Sequence, residues 1–186
     1  MANLAAYSLF TFSLVATMPL WAQSFNSESW VTRREAKYEK VTKLQFYFHD
    51  TLSGKNPSAV RVAQAIDTNK SPTLFGAIMM IDDPLTEGPD PKSKLVGRAQ
   101  GLYGSACKEE LGLIMALNFG FTDGMYNGSS ISLLGKNSAM NPVREMPIIG
   151  GTGIFRLARG YALAQTHWID FTTGDAIVGY NVTVVH

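Results

Sequence analysis

Short apolar segments separated by turn residues recur along most of the chain. In residues 44–50 apolar and polar side chains alternate, so Leu44, Phe46 and Phe48 share one face of a strand with Asp50. No segment keeps a helical period over the length that a stable helix needs. Further strands are predicted at residues 60–66, 74–81, 95–105, 111–121, 129–134, 143–149, 152–165 and 176–185.

These strands, joined by short turns, predict an all-β, antiparallel fold that is either a closed barrel or a sandwich. We favour a closed up-and-down β-barrel, because it has no exposed edge strand and can hold one ligand at its mouth. Residues 82–91 contain three of the chain's 8 prolines and are predicted to form a loop that no strand ladder crosses. The Asp82-Asp83 pair there could be a metal or acid site, but turn chemistry explains it more simply.

The N-terminal residues differ in character from the rest of the chain. Residues 4–22 carry no charged side chain, are broken by Pro19 and end in a small residue, so residues 1–22 are predicted to be a secretory signal peptide. An uncleaved anchor is the alternative. Residues 23–40 are polar and charged and are interpreted as a flexible leader. The folded domain is then expected at residues 41–186.

Three sequons agree with secretion, and the cysteine count indicates how the fold is stabilised. The single cysteine, Cys107, excludes an internal disulfide, so the fold must be stabilised by its core. Candidate glycosylation sites are Asn69, Asn127 and Asn181, each in an Asn-X-Ser/Thr triplet. We expect the protein in the extracellular space.

Charge and motifs exclude several classes of function. The chain has 16 basic and 15 acidic residues, which gives no electrostatic footprint for nucleic acid or for an anionic membrane. His49, His167 and His186 lack the spacing of metal ligands. No nucleophile elbow, phosphate loop or dinucleotide fingerprint is present. We therefore expect no metal and no cofactor.

Two strands carry residues that suggest a site. Asp50 ends an apolar face, so it either caps a turn in solvent or lies in an apolar cavity as a proton donor. Tyr103 shares a face with Ala99, Gly101 and Ser105, whose small side chains leave open volume beside a hydroxyl group. The alternative is close packing of this face against large side chains opposite.

Arginines in residues 152–165 are a third candidate feature. Arg156 and Arg159 lie on opposite faces of a strand unless a bulge intervenes, so one of them could face inward. An inward guanidinium would pair with Asp50 or bind a phenolate. The alternative is two solvent-facing arginines whose stems cover apolar surface.

Several segments, in order along the chain, resemble the plant dirigent family. They are residues 46–50 (FYFHD), 97–103 (GRAQGLY), 127–129 (NGS), 150–153 (GGTG) and 158–160 (ARG). The resemblance implies an antiparallel barrel of about eight strands, usually trimeric and secreted to the apoplast. It also implies a protein without a redox centre, which captures phenolic radicals or quinone methides and fixes the face on which a bond forms. Radical coupling would need an external oxidase or laccase as partner.

The resemblance assigns roles to individual residues. It places the family's pocket acid at Asp50 and a pocket tyrosine at Tyr103, and we expect Arg159 to join them in catalysis. The residues expected to contact substrate are Phe48, Ser105, Ile154 and Phe155. Ile154 stands where lignan-forming members tend to carry a second Asp, and their cysteine pair is absent. Both departures indicate the legume-type members, which include pterocarpan synthases.

The expected function is therefore a dirigent protein that binds a small phenolic intermediate and directs stereoselective bond formation. One version is radical coupling in lignan or phenylpropanoid biosynthesis. Another is a pterocarpan synthase type of lyase, which dehydrates an isoflavan-4-ol, with Asp50 protonating the leaving hydroxyl and Tyr103 orienting the phenol. The alternatives are a passive barrel that binds an apolar metabolite and a cyclase of the allene oxide type. A homo-oligomer, trimer or dimer, is expected, with neither nucleic acid nor membrane as partner.

Overall fold

The computed structural model describes residues 39–186, so the predicted signal peptide and most of the leader lie outside the described residues. None of the helices in this range is long and apolar enough to cross a membrane. Single 3-10 turns occur at Thr68–Lys70, Gly124–Tyr126 and Gly153–Phe155. The strands are β1 Val41–Asp50, β2 Ala59–Ala63, β3 Ile78–Thr86, β4 Leu95–Ser105, β5 Gly112–Phe121, β6 Ser130–Ser138, β7 Arg144–Thr152, β8 Arg159–Ile169 and β9 Ala176–Val185.

The strands form one antiparallel sheet in the order β1-β9-β8-β7-β6-β5-β4-β3-β2. The sheet closes because β1 also pairs with β3, with Tyr47 opposite Thr86 and Phe48 opposite Leu85. The short strand β2 lies outside this ring and pairs with the first part of β3. The predicted closed antiparallel barrel of eight strands is confirmed.

Aromatic side chains fill the half of the barrel nearest the start of β1. Phe46 stacks on Tyr180 with ring centroids 5.7 Å apart, and Phe119 meets both rings edge-on. Phe155 covers this group from the 3-10 turn before β8, with its ring 5.7 Å from that of Phe121. Large rings in tilted and edge-on contact bury much apolar surface. They close this end of the barrel.

The predicted loop at residues 82–91 is wrong in its first half. Strand β3 continues to Thr86, with Pro84 opposite Arg98 in the ladder with β4. On its other edge β3 changes partner from β2 to β1 between Ile81 and Leu85. The missing N–H of Pro84 therefore falls at a gap in that ladder, where it costs no hydrogen bond.

The predicted strand at residues 152–165 is interrupted. The 3-10 turn at Gly153–Phe155 separates β7 from β8, which begins at Arg159. Gly153 has a φ of +60°, and a Cβ there would lie 2.5 Å from the hydroxyl oxygen of Ser129. Glycine thus permits the sharp reversal that periodicity alone did not show.

Candidate active site

A mostly apolar cavity of about 290 Å³ opens at the end of the barrel where β1 ends. Phe48, Met79, Met115 and Val178 contribute walls from β1, β3, β5 and β9. A shallower groove of about 400 Å³ crosses the outer surface of β1, β9 and β8, but no acid lines it. An enclosed apolar volume with few polar groups is typical of a small-molecule site.

An acid and a phenol meet in this cavity. Tyr103 Oη, from β4, donates a hydrogen bond to Asp50 Oδ2, at the end of β1, over 2.9 Å. Burial raises the pKa of Asp50 to about 6, although the hydrogen bond from Tyr103 acts in the opposite direction. Burial and the nearby charge of Asp50 raise the pKa of Tyr103. Asp50 can therefore hold a proton in mildly acidic solution while the phenol keeps its own.

A buried cation lines the same cavity. Arg144, the first residue of β7, is only 5% exposed, and its Nε donates to Asn137 Oδ1 over 3.1 Å. Its Nη1 donates to Thr166 Oγ1 over 3.0 Å. Burial lowers the pKa of Arg144, but a guanidinium remains charged in proteins. No carboxylate of the described residues pairs with it, so its charge is free to act on a ligand oxygen.

Comparison with known proteins places this chain in a family. The sequence model of the family described as Dirigent-like protein matches residues 41–185. The chain belongs to the dirigent family. It is 70% identical over 174 residues to Dirigent protein 23 of Arabidopsis thaliana, with 93% of each chain covered.

Pterocarpan synthases are also close to this dirigent protein. Pterocarpan synthase 1 of Glycyrrhiza echinata is 53% identical over 149 residues, covering 80% of this chain and 79% of the relative. The solved structure of the pterocarpan synthase dirigent protein GePTS1 superposes with a TM-score of 0.76 at 51% identity, covering 82% of this chain and 88% of that one.

The cavity mouth of the dirigent barrel is held together by Asp175. Its Oδ1 accepts hydrogen bonds from the backbone N–H groups of Leu52 and Ser53 at 2.8 and 3.0 Å. The hydroxyl of Ser53 also donates to this carboxylate, and these bonds lower the pKa of Asp175. The loop after β1 is thereby tied to the loop before β9, and both Leu52 and Gly174 line the opening.

Asp83 is a second acid inside the barrel, and the prediction that it forms a turn is wrong. It lies on β3, is 0% exposed, and neither carboxyl oxygen has a hydrogen-bond partner among the described residues. Burial and the charge of Asp50 raise the pKa of Asp83 to about 8. Asp82 instead points outward and pairs with Arg98 Nε at 2.5 Å, which lowers the pKa of Asp82.

Arg159 does not join the acid and the phenol, so the expectation of an inward pairing with Asp50 is wrong. Arg159, at the start of β8, pairs with Val185 of β9. Asp50, at the end of β1, pairs with Ala176, which is nine residues away along β9. That separation is roughly 30 Å at about 3.3 Å per residue. The guanidinium of Arg159 is exposed and pairs with Glu39 at 2.8 Å.

The expected substrate contacts divide between the two ends of the barrel. Phe48 and Ser105 line the cavity, although the Ser105 hydroxyl donates to the carbonyl oxygen of Thr73 over 2.6 Å. Phe155 is fully buried in the aromatic group at the other end, and Ile154 is 40% exposed. The expectation that Ile154 and Phe155 line the cavity is therefore wrong, because the 3-10 turn carries them away from it.

Sequence reasoning missed Arg144 and Asp83. Arg144 lies in a predicted strand beside charged Glu145, so in the sequence it resembles an ordinary surface residue. The signal that could have found Arg144 is its spacing: it begins the alternating series of inward residues that continues with Met146 and Ile148, both buried. The Asp-Asp-Pro sequence around Asp83 hid an inward series that runs through Ile81 and Leu85.

Proposed function

We propose that this dirigent protein binds a phenolic alcohol, removes its hydroxyl group as water, and directs the closing of a ring on the resulting quinone methide. The observation that carries the proposal is the hydrogen bond from Tyr103 to Asp50 inside an apolar cavity. Radical coupling needs an external oxidant but no acid. Departure of a hydroxyl group needs a proton donor, and the environment of Asp50 favours its protonated form.

The proton balance of this reaction closes without a redox partner. Asp50 gives its proton to the leaving hydroxyl, the C–O bond breaks, and the phenol conjugated with that carbon releases its proton to solvent at the cavity mouth. A second hydroxyl of the same molecule then adds to the methide carbon and passes its proton to Asp50. The former phenol oxygen regains a proton, so the net change is the loss of one water.

The other cavity groups have separate parts in this scheme. The guanidinium of Arg144 stabilises the oxygen that becomes a carbonyl in the quinone methide, because a fixed buried charge acts strongly there. Tyr103 holds the carboxyl of Asp50 in one orientation. The apolar walls exclude water from the methide carbon and hold one conformer of the substrate, so the ring closes on one face.

Cavity size favours one substrate molecule over two. The volume of about 290 Å³ lies at the lower end of the range of roughly 300–1,000 Å³ for small-molecule pockets. Two phenylpropanoid radicals would have to share this space before coupling. A single ring system with an internal nucleophile fits the cavity better, and this supports the dehydrative reaction.

The proposal is tested with two substrates and chiral chromatography. The protein is incubated with a racemic isoflavan-4-ol that carries free phenols, and separately with coniferyl alcohol plus a laccase. We expect one enantiomer of the ring-closed product in the first reaction and racemic dimers in the second. Single-enantiomer dimers and no turnover of the isoflavanol would favour radical coupling instead.

A matched pair of variants separates catalysis from passive binding. Asp50→Asn is expected to slow dehydration by about 10²–10⁴-fold while ligand binding remains. Asp82→Asn, on the outer face, should keep the wild-type rate. Retention of the isoflavanol without conversion by the wild-type protein would identify a binding barrel.

We further infer secretion and glycosylation from the sequence, and self-association from the resemblance to the dirigent family. The side chains of Asn69, Asn127 and Asn181 are exposed, as modification requires. Expression in plant cells should give a mature chain in the extracellular fluid that begins near residue 23 and loses mass with a glycosidase. Light scattering of that material should give the mass of a trimer or dimer, and a monomer would contradict the self-association.

A further inference from the structure

The register of β1 and β3 brings the two buried acids of the barrel together. Tyr47 pairs with Thr86 and Phe48 with Leu85, so the same antiparallel register reaches Asp50 and Asp83 two residues further on. Asp83 belongs to the inward series of β3, and Asp50 lines the cavity. The charge of Asp50 also acts on Asp83, so the two carboxyl groups lie near each other where the pairing of β1 and β3 ends.

Three carboxyl oxygens at this place have no hydrogen bond of ordinary length and angle from the described residues, although the nearby side chain of Ser58 acts to lower the pKa of Asp83. They are Oδ1 of Asp50 and both oxygens of Asp83. An ionised carboxylate only accepts hydrogen bonds, whereas a protonated carboxyl group also donates one. Two ionised carboxylates side by side without donors would be strongly unfavourable in a buried position. At least one of these carboxyl groups therefore holds a proton.

The charged and titratable groups around the pair do not replace that proton. Arg98, on β4, is on the outer face and pairs with Asp82. Arg61, on β2, has an exposed guanidinium that donates to Gln64 and Asn69. The other titratable groups that act on the two acids are Tyr103 on β4, Tyr180 on β9 and Asp175 at the mouth.

We propose that Asp83 is a positioning residue that shares one proton with Asp50 and thereby keeps a proton available to the active-site acid at neutral pH. The inference rests on the proposed dehydration. Burial and the charge of Asp50 raise the pKa of Asp83 to about 8, whereas that of Asp50 is about 6. Asp83 is thus the group that retains the proton as the pH rises.

In the reaction, the shared proton passes through Asp50 to the departing hydroxyl group, which leaves both carboxyl groups ionised. When the ring closes, the proton of the attacking hydroxyl returns to Asp50. The pair ends the cycle with one shared proton, as it began, and no oxidant is consumed.

The first test measures protonation directly and needs no substrate. Infrared spectra of the wild-type protein at pH 7 should show the carbonyl band of a buried, protonated carboxyl group, and Asp83→Asn should abolish it. Asp82→Asn is the matched control and should leave the band in place. Absence of the band from the wild-type protein at pH 7 would overturn the proposal without the use of any variant.

The second test measures the pH dependence of isoflavan-4-ol dehydration. At pH 5 the Asp83→Asn variant should work within about twofold of the wild type, and at pH 7.5 it should be at least about tenfold slower, since its acid deprotonates at lower pH. Equal pH profiles would overturn the proposal. If the wild type converts no isoflavanol, the proposed function fails, whereas the infrared band still decides whether the two acids share a proton.

Discussion

Replacing Asp83 by asparagine is expected to stabilise the barrel at neutral pH. The pKa of this fully buried carboxyl is about 8 in the folded protein, compared with the ordinary value of 3.8. Between these two pH values the folded state binds more protons at this residue than the unfolded state does. The contribution of Asp83 to the free energy of unfolding therefore falls as the pH rises from about 4 to about 8.

The size of the effect follows from the same pKa values. At pH 7 the unfolded chain gains up to about 4 kcal/mol by ionising Asp83, because each pH unit above its pKa contributes about 1.4 kcal/mol. Asparagine cannot ionise, so Asp83→Asn removes this gain. For a domain of this size 1 kcal/mol corresponds to roughly 2–4 °C, so Tm at pH 7 should rise by on the order of 10 °C.

Thermal unfolding of both proteins between pH 4 and pH 8 tests this reasoning. The difference in Tm should be near zero at pH 4 and should grow steadily toward pH 8. Asp82→Asn is the control, because hydrogen bonding to Arg98 lowers the pKa of Asp82, and its loss should leave Tm unchanged or slightly lower. If the Asp83→Asn variant were less stable than the wild type at pH 7, the conclusion that Asp83 is protonated in the folded protein would be refuted.

Three further substitutions test other parts of the structure. Tyr103→Phe removes the hydrogen bond that lowers the pKa of Asp50, so the pH–rate profile of dehydration should move to higher pH, and an unchanged profile would contradict this role. His49 is buried with one ring nitrogen unpartnered among the described residues, and burial lowers its pKa. Its contribution to stability should be lost as the pH falls below 6.5, and urea titrations of His49→Gln should show a flatter pH dependence. Gly160→Ala should lower Tm much more than Gly150→Ala. A Cβ at position 160 would lie 2.0 Å from a carbonyl oxygen of β9, whereas a Cβ at position 150 would meet open space. Equal Tm values for the two variants would contradict this difference in packing.

Periodicity predicted the barrel because each strand has an inward apolar series that is local in sequence. The last strand was predicted at the residues that β9 occupies, since most of them are β-branched or apolar. Closure was favoured because a closed barrel has no exposed edge strand. What the pattern did not show is where β3 changes partner, because that depends on the distant strand β1 and not on the residues near Pro84.

The site was predictable where a side chain lies on an unbroken strand. Asp50 and Tyr103 are 53 residues apart; the strand pattern made both candidates for a cavity, the family resemblance placed both in the pocket, and the structure retains their strands. Arg159 was assigned to the site from a predicted strand at residues 152–165 that the 3-10 turn interrupts. The alternation of side chains along that predicted strand therefore gave no information about the cavity. Asp83 was missed because local sequence favours a turn there, whereas barrel closure buries it.

The most direct test of the account is a crystal structure of the Asp50→Asn variant with an isoflavan-4-ol bound. We predict that the ring system lies in the cavity. The hydroxyl oxygen on the reacting carbon should be about 2.6–3.2 Å from an amide atom of the side chain at position 50. We also predict a phenolic oxygen near the guanidinium of Arg144. A ligand bound on the outer surface, or one in the cavity with its alcohol turned away from position 50, would contradict the central claim.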